Sequence, residues 1–280
     1  MWHMEAYRSS LSSGVTNTFQ QVTAITAGAL LAPSGSGFQV ATQLPFLHSL
    51  FGVGAHLENI QPQAASFQPL PYPTFQANNV GTAANNPPAF WDLSANPKAL
   101  RPTEFINMYA SQINAGAENE AVFVNFTDNN PLPAPAVASG PSINGNGQFT
   151  IAHGTGTTTL TANAWTQVTI TLDTALPAGY YALVGCRAVS AGCLAFRIRP
   201  IVEPLWRPGG VGVQAATDQD PPNQRFFNPL TGRISPWGVW VYFFQNTFPY
   251  VEFWSTSADT VENVYFDLIK ISDVVTANTL

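Results

Sequence analysis

The sequence predicts an all-β protein built from two antiparallel sandwiches in tandem. Val, Ile, Thr, Phe, Tyr and Trp recur in short runs, which favour strands. The 23 Pro and 21 Gly residues interrupt every helical pattern before it reaches three turns. A segment rich in Pro and Gly near the middle leaves about 130 residues on each side, a usual size for one sandwich.

The second half shows the clearest strands. Strict alternation of apolar and polar residues predicts strands at 168–172, 194–199 and 264–269. Further short strands are predicted at 149–152, 157–160, 180–186, 239–244 and 250–254. About eight short strands is the number in a jelly roll, which we therefore predict for this half.

The first half is less regular. Strands are predicted at 18–26, 38–43, 49–57 and 121–126. Residues 61–102 hold many Pro and Asn residues and are interpreted as a long ordered loop. Residues 103–113 fit a helix and a strand equally well.

These elements divide the chain into three parts. Residues 1–130 are predicted to form an N-terminal arm and a first jelly-roll domain, 131–146 a linker, and 147–280 a second jelly-roll domain. A single jelly roll with an elaborated N-terminal region is the alternative.

Charge is scarce in this chain, which points to self-association. Only 9% of the residues are charged, while 12% are aromatic. Between Ser9 and Trp91 the one formal charge is that of Glu58. A dispersed protein usually carries more surface charge, so this composition indicates a surface that is covered by protein.

The charge distribution also excludes some partners. The net charge is −6, and the ten Lys and Arg residues are scattered. Direct nucleic-acid binding and a polybasic membrane patch both need clustered cations, so neither is expected. The N-terminal residues lack the profile of a secretory peptide, which predicts synthesis in a cytoplasm.

Candidate metal and thiol chemistry is weak. Asp218 and Asp220 offer two carboxylates for a calcium ion, although an ordinary turn explains them better. Cys186 and Cys193 flank a predicted hairpin tip, and two buried thiols are favoured over a cross-strand disulfide. No nucleophile motif or phosphate loop is present, so neither an enzyme nor a cofactor is predicted.

Aromatic residues supply the candidate subunit contacts. They are concentrated between Trp206 and Trp254, in greater number than one sandwich core is expected to hold. The long excursion at 203–236 contains or adjoins the four contact candidates, which are Trp206, Phe226, Phe227 and Trp237.

Two jelly-roll-sized domains, an N-terminal extension, long Pro/Asn loops and a charge-poor surface together resemble the double-jelly-roll major capsid proteins of tailless, internal-membrane bacteriophages. The resemblance is architectural and rests on no single motif. It implies trimeric capsomers in an icosahedral shell, other capsid or vertex proteins as partners, and a viral membrane beneath the shell.

The sequence therefore predicts a structural virion protein located in the capsid, made in the host cytoplasm and assembled with itself, as a trimer. The alternative is a secreted or surface β-sandwich that binds carbohydrate through aromatic stacking and Asn/Gln hydrogen bonds. A hydrolase on a β scaffold is a third hypothesis, but it lacks an identifiable acidic pair.

Overall fold

A computed structural model describes residues 1–11, 16–22, 24–27, 33–34, 37–40, 42–54, 56–68, 72–76, 78–79, 91–93, 96–114, 118–130, 149–201, 206–214 and 239–273. The chain divides into two compact units, Met1–Asn130 (unit 1) and Pro131–Leu280 (unit 2). The linker expected at 131–146 lies outside the described residues.

Unit 1 consists of strands and one short 3-10 helix at Ala65–Phe67. Its strands are β1 Trp2–Leu11, β2 Gln20–Gln21, β3 Ala24–Ala27, β4 Pro33–Ser34, β5 Gly37–Gln39, β6 Phe46–Gly54, β7 Leu57–Gln63, β8 Phe75–Gln76, β9 Asn78–Asn79, β10 Trp91–Asp92, β11 Lys98–Ala99, β12 Phe105–Gln112 and β13 Glu118–Thr127. Sheet A has the order β10-β6-β13-β1-β3, with β9 and β11 also on β6; sheet B has the order β4-β5-β12-β7-β8, with β2 also on β12.

Unit 2 also has two sheets and a short 3-10 helix, at Gln245–Thr247. Its strands are β14 Phe149–Gly156, β15 Trp165–Val168, β16 Thr171–Leu172, β17 Tyr180–Ser190, β18 Cys193–Arg199, β19 Gly209–Val211, β20 Val213–Gln214, β21 Val241–Phe244, β22 Tyr250–Ser255 and β23 Glu262–Ser272. Sheet C has the order β16-β14-β23-β17-β20, with β21 also on β17; sheet D has the order β15-β22-β18-β19.

The long strands of the two units follow one pairing scheme. In each unit the first long strand pairs with the last, β1 with β13 and β14 with β23. The last strand then pairs with the next long strand of the same sheet, β6 or β17. The strands that follow β6 and β17 in sequence, β7 and β18, belong to the second sheet of each unit. There each pairs with the penultimate strand of its unit, β7 with β12 and β18 with β22.

The core of unit 1 lies between sheets A and B. It joins Tyr7, Val124 and Leu50 of sheet A to Ile60 and Met108 of sheet B. Gly52 of β6 makes this close approach feasible, because a Cβ there would be 1.8 Å from Ile60 Cδ1. The opposite face of sheet A is buried as well; its buried residues include Trp2, Met4, Phe51, Phe123 and Asn125.

The core of unit 2 is dominated by aromatic rings. Phe248 contacts Phe243 and Phe266 edge to face, with centroids 5.1 and 4.9 Å apart. Phe196 of sheet D stacks on Trp240 at 5.7 Å. Such ring pairs stabilise a core beyond the area they bury.

The prediction of an all-β chain is confirmed, because the described residues form antiparallel sheets and no α-helix. The ambiguous segment at 103–113 is strand β12. The residues interpreted as an N-terminal arm instead contain β1, a ten-residue strand inside sheet A.

Several details of the predicted strands were wrong. The alternating segment at 168–172 is two strands in different sheets, β15 and β16. No strand forms at 157–160. The loop expected at 61–102 begins inside β7 and contains four further short strands. Cys186 and Cys193 are buried thiols not joined by a disulfide, as favoured.

Candidate assembly surface

The outer face of sheet B is partly exposed and almost free of charge. Glu58 is the single charged residue in its six strands. Because side chains alternate along a strand, the residues that β5, β7, β12 and β2 direct away from the core are mostly amides. This amide face consists of Gln21, Gln39, Asn59, Gln61, Gln63 and Asn107 together with Phe105 and Tyr109.

Cross-strand pairing sets the order of side chains on the amide face. Tyr109 lies between Gln61 of β7 and Gln21 of β2. Asn107 lies between Gln63 and Gly37, where a Cβ would approach Asn107 Oδ1 to 2.7 Å. The missing side chain at Gly37 therefore leaves room for the Asn107 amide.

Hydrogen bonds hold several of these amides in place. Gln63 Nε2 donates to Gln61 Oε1 at 2.8 Å, and Gln61 Nε2 donates to Thr74 Oγ1 at 2.9 Å. Asn59 Nδ2 donates to Ser111 Oγ at 3.2 Å. An amide fixed in this way loses less rotamer entropy when a partner binds it.

Apolar side chains on and near the amide face are exposed to solvent. Phe105 is 44% exposed, and Phe19, which has the strand parity of Gln21, is 37% exposed. Ile113, directly after β12, is 46% exposed. One charge adjoins these residues, that of Glu58, whose Oε2 accepts the Ser111 hydroxyl at 3.0 Å. Neutral amides and exposed rings thus form a surface that a protein partner can cover while desolvating few charges.

Of the four contact candidates, the structure describes Trp206. Its ring is buried in unit 2, and its Nε1–H donates to the carbonyl of Trp240. The ring is therefore covered within one chain, and its role in a subunit contact stays a prediction. Phe226, Phe227 and Trp237 lie outside the described residues, as do the calcium candidates Asp218 and Asp220.

The described residues contain no group of three or more His, Cys, Asp or Glu side chains that could hold a metal ion. Within the same part of the chain, no helix has the length and apolar character needed to cross a bilayer.

Unit 2 contains a cluster of charged residues on sheet D that the sequence did not reveal. Arg197 Nε lies 2.5 Å from Glu252 Oε2, and Arg207 Nη1 lies 3.2 Å from both carboxylate oxygens. The Arg197 guanidinium also lies over the Trp165 ring, 4.3 Å from its centroid. Register brings these residues together, because Arg197 and Glu252 are directly opposed on β18 and β22.

A cleft of about 630 Å³ lies at one end of sheet C. His153 Nδ1 is 2.5 Å from Asp173 Oδ2, and His153 Nε2 is 3.2 Å from Asn263 Oδ1. Lys270 Nζ is 2.5 Å from Asp273 Oδ1. Among the polar groups that line this cleft, His153 thus pairs with Asp173 and Lys270 pairs with Asp273.

Among the buried ionisable groups whose pKa values are shifted are His48 and Glu262. Burial lowers the pKa of His48 to about 3; its ring stacks on Trp2 at 4.7 Å. Burial, and to a lesser extent the nearby Asp259, raise the pKa of Glu262 to about 7. His48 is thus neutral at neutral pH, whereas Glu262 changes its charge close to pH 7.

Comparisons with known proteins give distant structural neighbours. No protein-family model matches this chain, and no curated protein matches it. The major capsid protein P2 from Bacteriophage PM2 is 12% identical, with 94% of this chain and 97% of that chain covered and a TM-score of 0.24. The STIV MCP is 8% identical, with 95% and 97% covered and a TM-score of 0.23.

The amide face was missed at the sequence level because β7 was divided between a strand and a loop. A signal was present. In β7 the buried residues Ile60 and Pro62 alternate with Asn59, Gln61 and Gln63, and Tyr109 follows the same alternation in β12. Pro62 discouraged the strand assignment, since proline cannot donate to a ladder.

Proposed function

We propose that this protein is a major capsid protein, a structural virion protein that assembles with itself into trimeric capsomers of an icosahedral shell. Its two units are proposed to be tandem jelly rolls, with the linker at 131–146 between them. The mechanism is geometric, because closed symmetric contacts make the capsomer and weaker edge contacts join capsomers.

The strand order supports the jelly-roll assignment. In a jelly roll, two antiparallel sheets of four strands arise from a doubled Greek key, so that the first and last strands become neighbours. Sheet C has β14, β23 and β17 in that order, and sheet D has β15, β22, β18 and β19. The long strands of unit 1 repeat this scheme with β1, β13 and β6 opposite β12 and β7.

The observation that carries the proposal is the amide face. Strand rise and spacing give it an area of about 500 Å² for an eight-residue strand and its neighbours. A stable contact buries about 800 Å² on each partner. Further contact area must therefore come from elsewhere. For a separate subunit contact of unit 2 we propose Phe226, Phe227 and Trp237; the fourth candidate, Trp206, has its ring buried within that unit and offers a partner little area.

The remaining assignments follow from the same proposal. The partners would be further copies of this chain and other capsid or vertex proteins, with a viral membrane beneath the shell. The location would be the virion, after synthesis in the host cytoplasm. Nucleic acid would not be contacted directly, because the few cations are scattered along the sequence.

A charge introduced on the amide face tests the proposal. In Phe105→Arg, a guanidinium replaces an exposed ring, so the isolated fold should keep its melting temperature. Assembly should weaken by about 2 kcal/mol, roughly a thirtyfold rise in the dissociation constant. Light scattering at micromolar concentration should then show the trimer of the wild-type chain shift toward monomer.

The matched control is Val261→Arg, which places the same charge at a 50% exposed apolar residue of unit 2. It should leave the oligomer intact. A wild-type chain that stays monomeric at this concentration, or equal loss of assembly in both variants, contradicts a contact through the amide face.

Carbohydrate binding is the second candidate function, and the same face favours it. Amides fixed beside the Tyr109 ring could hydrogen-bond sugar hydroxyls while the ring stacks on a sugar. A glycan array separates the two functions. Binding that is lost in Tyr109→Ala by a monomeric chain supports the carbohydrate function, whereas a trimer without glycan binding supports the capsid protein.

A further inference from the structure

Glu262, the first residue of β23, is a carboxylate buried at one end of unit 2. Its residue exposure is 0%. Glu262 Oε2 accepts a long hydrogen bond from the backbone N–H of Thr158 at 3.3 Å, and the carboxylate also interacts with the N–H of Glu262 itself. Glu262 Oε1 is buried and has no hydrogen-bond partner among the described residues. Ionising a carboxyl group in such a position lowers the stability of the fold, because water is excluded and one oxygen accepts no hydrogen bond.

The neighbouring strands supply no compensating cation within the described part of the chain. Gly156 of β14 lies opposite Glu262, and a Cβ there would be 2.8 Å from Oε2. That Cβ would also be 2.2 Å from Val168 of β15, a strand without charged residues. His153 of β14 has the opposite strand parity to Gly156 and bonds to Asp173 instead.

Asp259 is the charged group that acts on Glu262, and it is an anion. It precedes Glu262 in the turn before β23, and its own carboxylate is already engaged. Asp259 Oδ2 accepts the Ala191 N–H at 2.6 Å, and Oδ1 accepts the Thr260 N–H at 2.7 Å. Its negative charge opposes ionisation of Glu262, in the same direction as burial.

The backbone around Glu262 joins three segments. Leu160 N–H donates to the Asp259 carbonyl at 2.8 Å, and Thr256 N–H donates to the Gly192 carbonyl at 2.9 Å. Together with the Thr158 and Ala191 bonds, these contacts connect the stretch after β14, the β17–β18 turn and the turn before β23. We call these three segments the Glu262 corner.

We propose that Glu262 is a proton-operated latch for this corner. Protonated, the carboxyl group stays buried and the three segments remain joined. Ionised, it draws in water, and the segments separate locally while the sheets persist. The inference concerns unit 2 alone and does not depend on a capsid role.

The direction of the pH effect follows from the two states of the group. Its folded pKa is about 7, above the usual 4.5, so the folded chain holds the proton more tightly than the unfolded chain. The stabilising effect of the neutral group is complete below pH 4.5 and is lost as the pH rises through about 7. The corner should therefore open in mildly alkaline solution.

The test compares the full chain with Glu262→Gln by hydrogen exchange at pH 5.5 and 8.5, corrected for the intrinsic pH dependence of exchange. In the wild-type chain, protection of the Leu160 and Ala191 amides should fall about tenfold or more at pH 8.5, since each pKa unit corresponds to a factor of ten. In Glu262→Gln the protection should be equal at both pH values. The matched control, Glu58→Gln in unit 1, should behave like the wild-type chain.

Two results would overturn the latch. One is wild-type protection that does not change with pH, and the other is a loss that persists in Glu262→Gln. Should Glu262→Gln fail to fold, ¹³C carboxyl NMR of the wild-type chain decides the question. A Glu262 midpoint near 7 supports the latch, and a midpoint near the usual 4.5 refutes it.

Discussion

Arg197 and Glu252 face each other on β18 and β22, with Arg197 Nε 2.5 Å from Glu252 Oε2. Both residues are about 5% exposed or less. Breaking such a buried pair from one side leaves uncompensated charge in a dry environment. Glu252→Gln should therefore lower the free energy of unfolding of unit 2 by about 3 kcal/mol, as measured by urea denaturation.

The control for Glu252→Gln is Asp273→Asn. Asp273 also contacts a cation, at 2.5 Å from Lys270 Nζ, but its side chain is 94% exposed. Solvent screens exposed pairs, so this variant should denature like the wild-type chain. Equal effects of the two substitutions would contradict a buried role for Glu252.

His48 should make unit 1 sensitive to acid. Because its folded pKa is about 3, below the usual 6.5, the unfolded chain takes up a proton first as the pH falls. Stability is thus lost between pH 6.5 and 3, by about 2 kcal/mol at pH 5. His48→Phe keeps a ring against Trp2 and should remove this loss between pH 7 and pH 5, measured by denaturation at both pH values.

Ser49→Ala provides the comparison for His48→Phe. Ser49 is a buried neighbour, 3.5 Å from His48 Nδ1, but it does not titrate in this range. Its stability difference from the wild-type chain should be the same at pH 7 and pH 5. A pH-independent effect of His48→Phe would show that His48 does not carry the acid response.

Substitutions of Trp206 distinguish a role of this residue in folding from a role in assembly. Its ring is buried and bonded to the Trp240 carbonyl, so Trp206→Ala should cost about 3–5 kcal/mol of folding stability. Trp206→Phe retains most of the ring and should lose about 1–3 kcal/mol, because the carbonyl loses its donor. Normal melting with impaired assembly in light scattering would instead assign Trp206 to a subunit contact.

Residues 147–280 should fold without the first half. Phe196, Phe253 and Phe266 are fully buried within the sheets of unit 2, which close on each other. The fragment should therefore show a β-type circular dichroism spectrum and a cooperative melt. Phe196→Asp should abolish that melt, since a buried unpaired carboxylate costs several kcal/mol. A fragment that stays unfolded while the whole chain folds would mean that the halves share one core.

Alternation between apolar and polar residues was informative where one face of a strand is exposed or charged. The pattern at Leu194, Phe196 and Ile198 corresponds to β18, with those three side chains buried. It was overlooked in β1, where Trp2, Met4 and Ala6 alternate with His3 and Glu5. Both faces of this strand are buried, so its polar residues do not mark a solvent-exposed face.

The sites depended on pairing that a single sequence does not contain. Arg197 and Glu252 are 55 positions apart, and only the register of β18 on β22 places them together. Glu262 has an unremarkable sequence context, and its properties come from the space that Gly156 leaves open. The scarcity of charged residues before Trp91, by contrast, could be seen in the composition of the sequence. In the structure, strands from this part of the chain contribute to the amide face.

The pairing of first and last strands also constrains how the chain can fold as it is made. Residues Trp2 to Ala6 have β13 as their partner in sheet A. They can therefore pair only after residues near Thr127 have left the ribosome. Until then Trp2 and Met4 have no partner strand in the sheet, and their apolar side chains stay exposed on the nascent chain. In unit 2 the pairing of β14 is delayed in the same way until β23 has been synthesised. Each half should thus fold late and in one step, at a rate set by closing its longest loop.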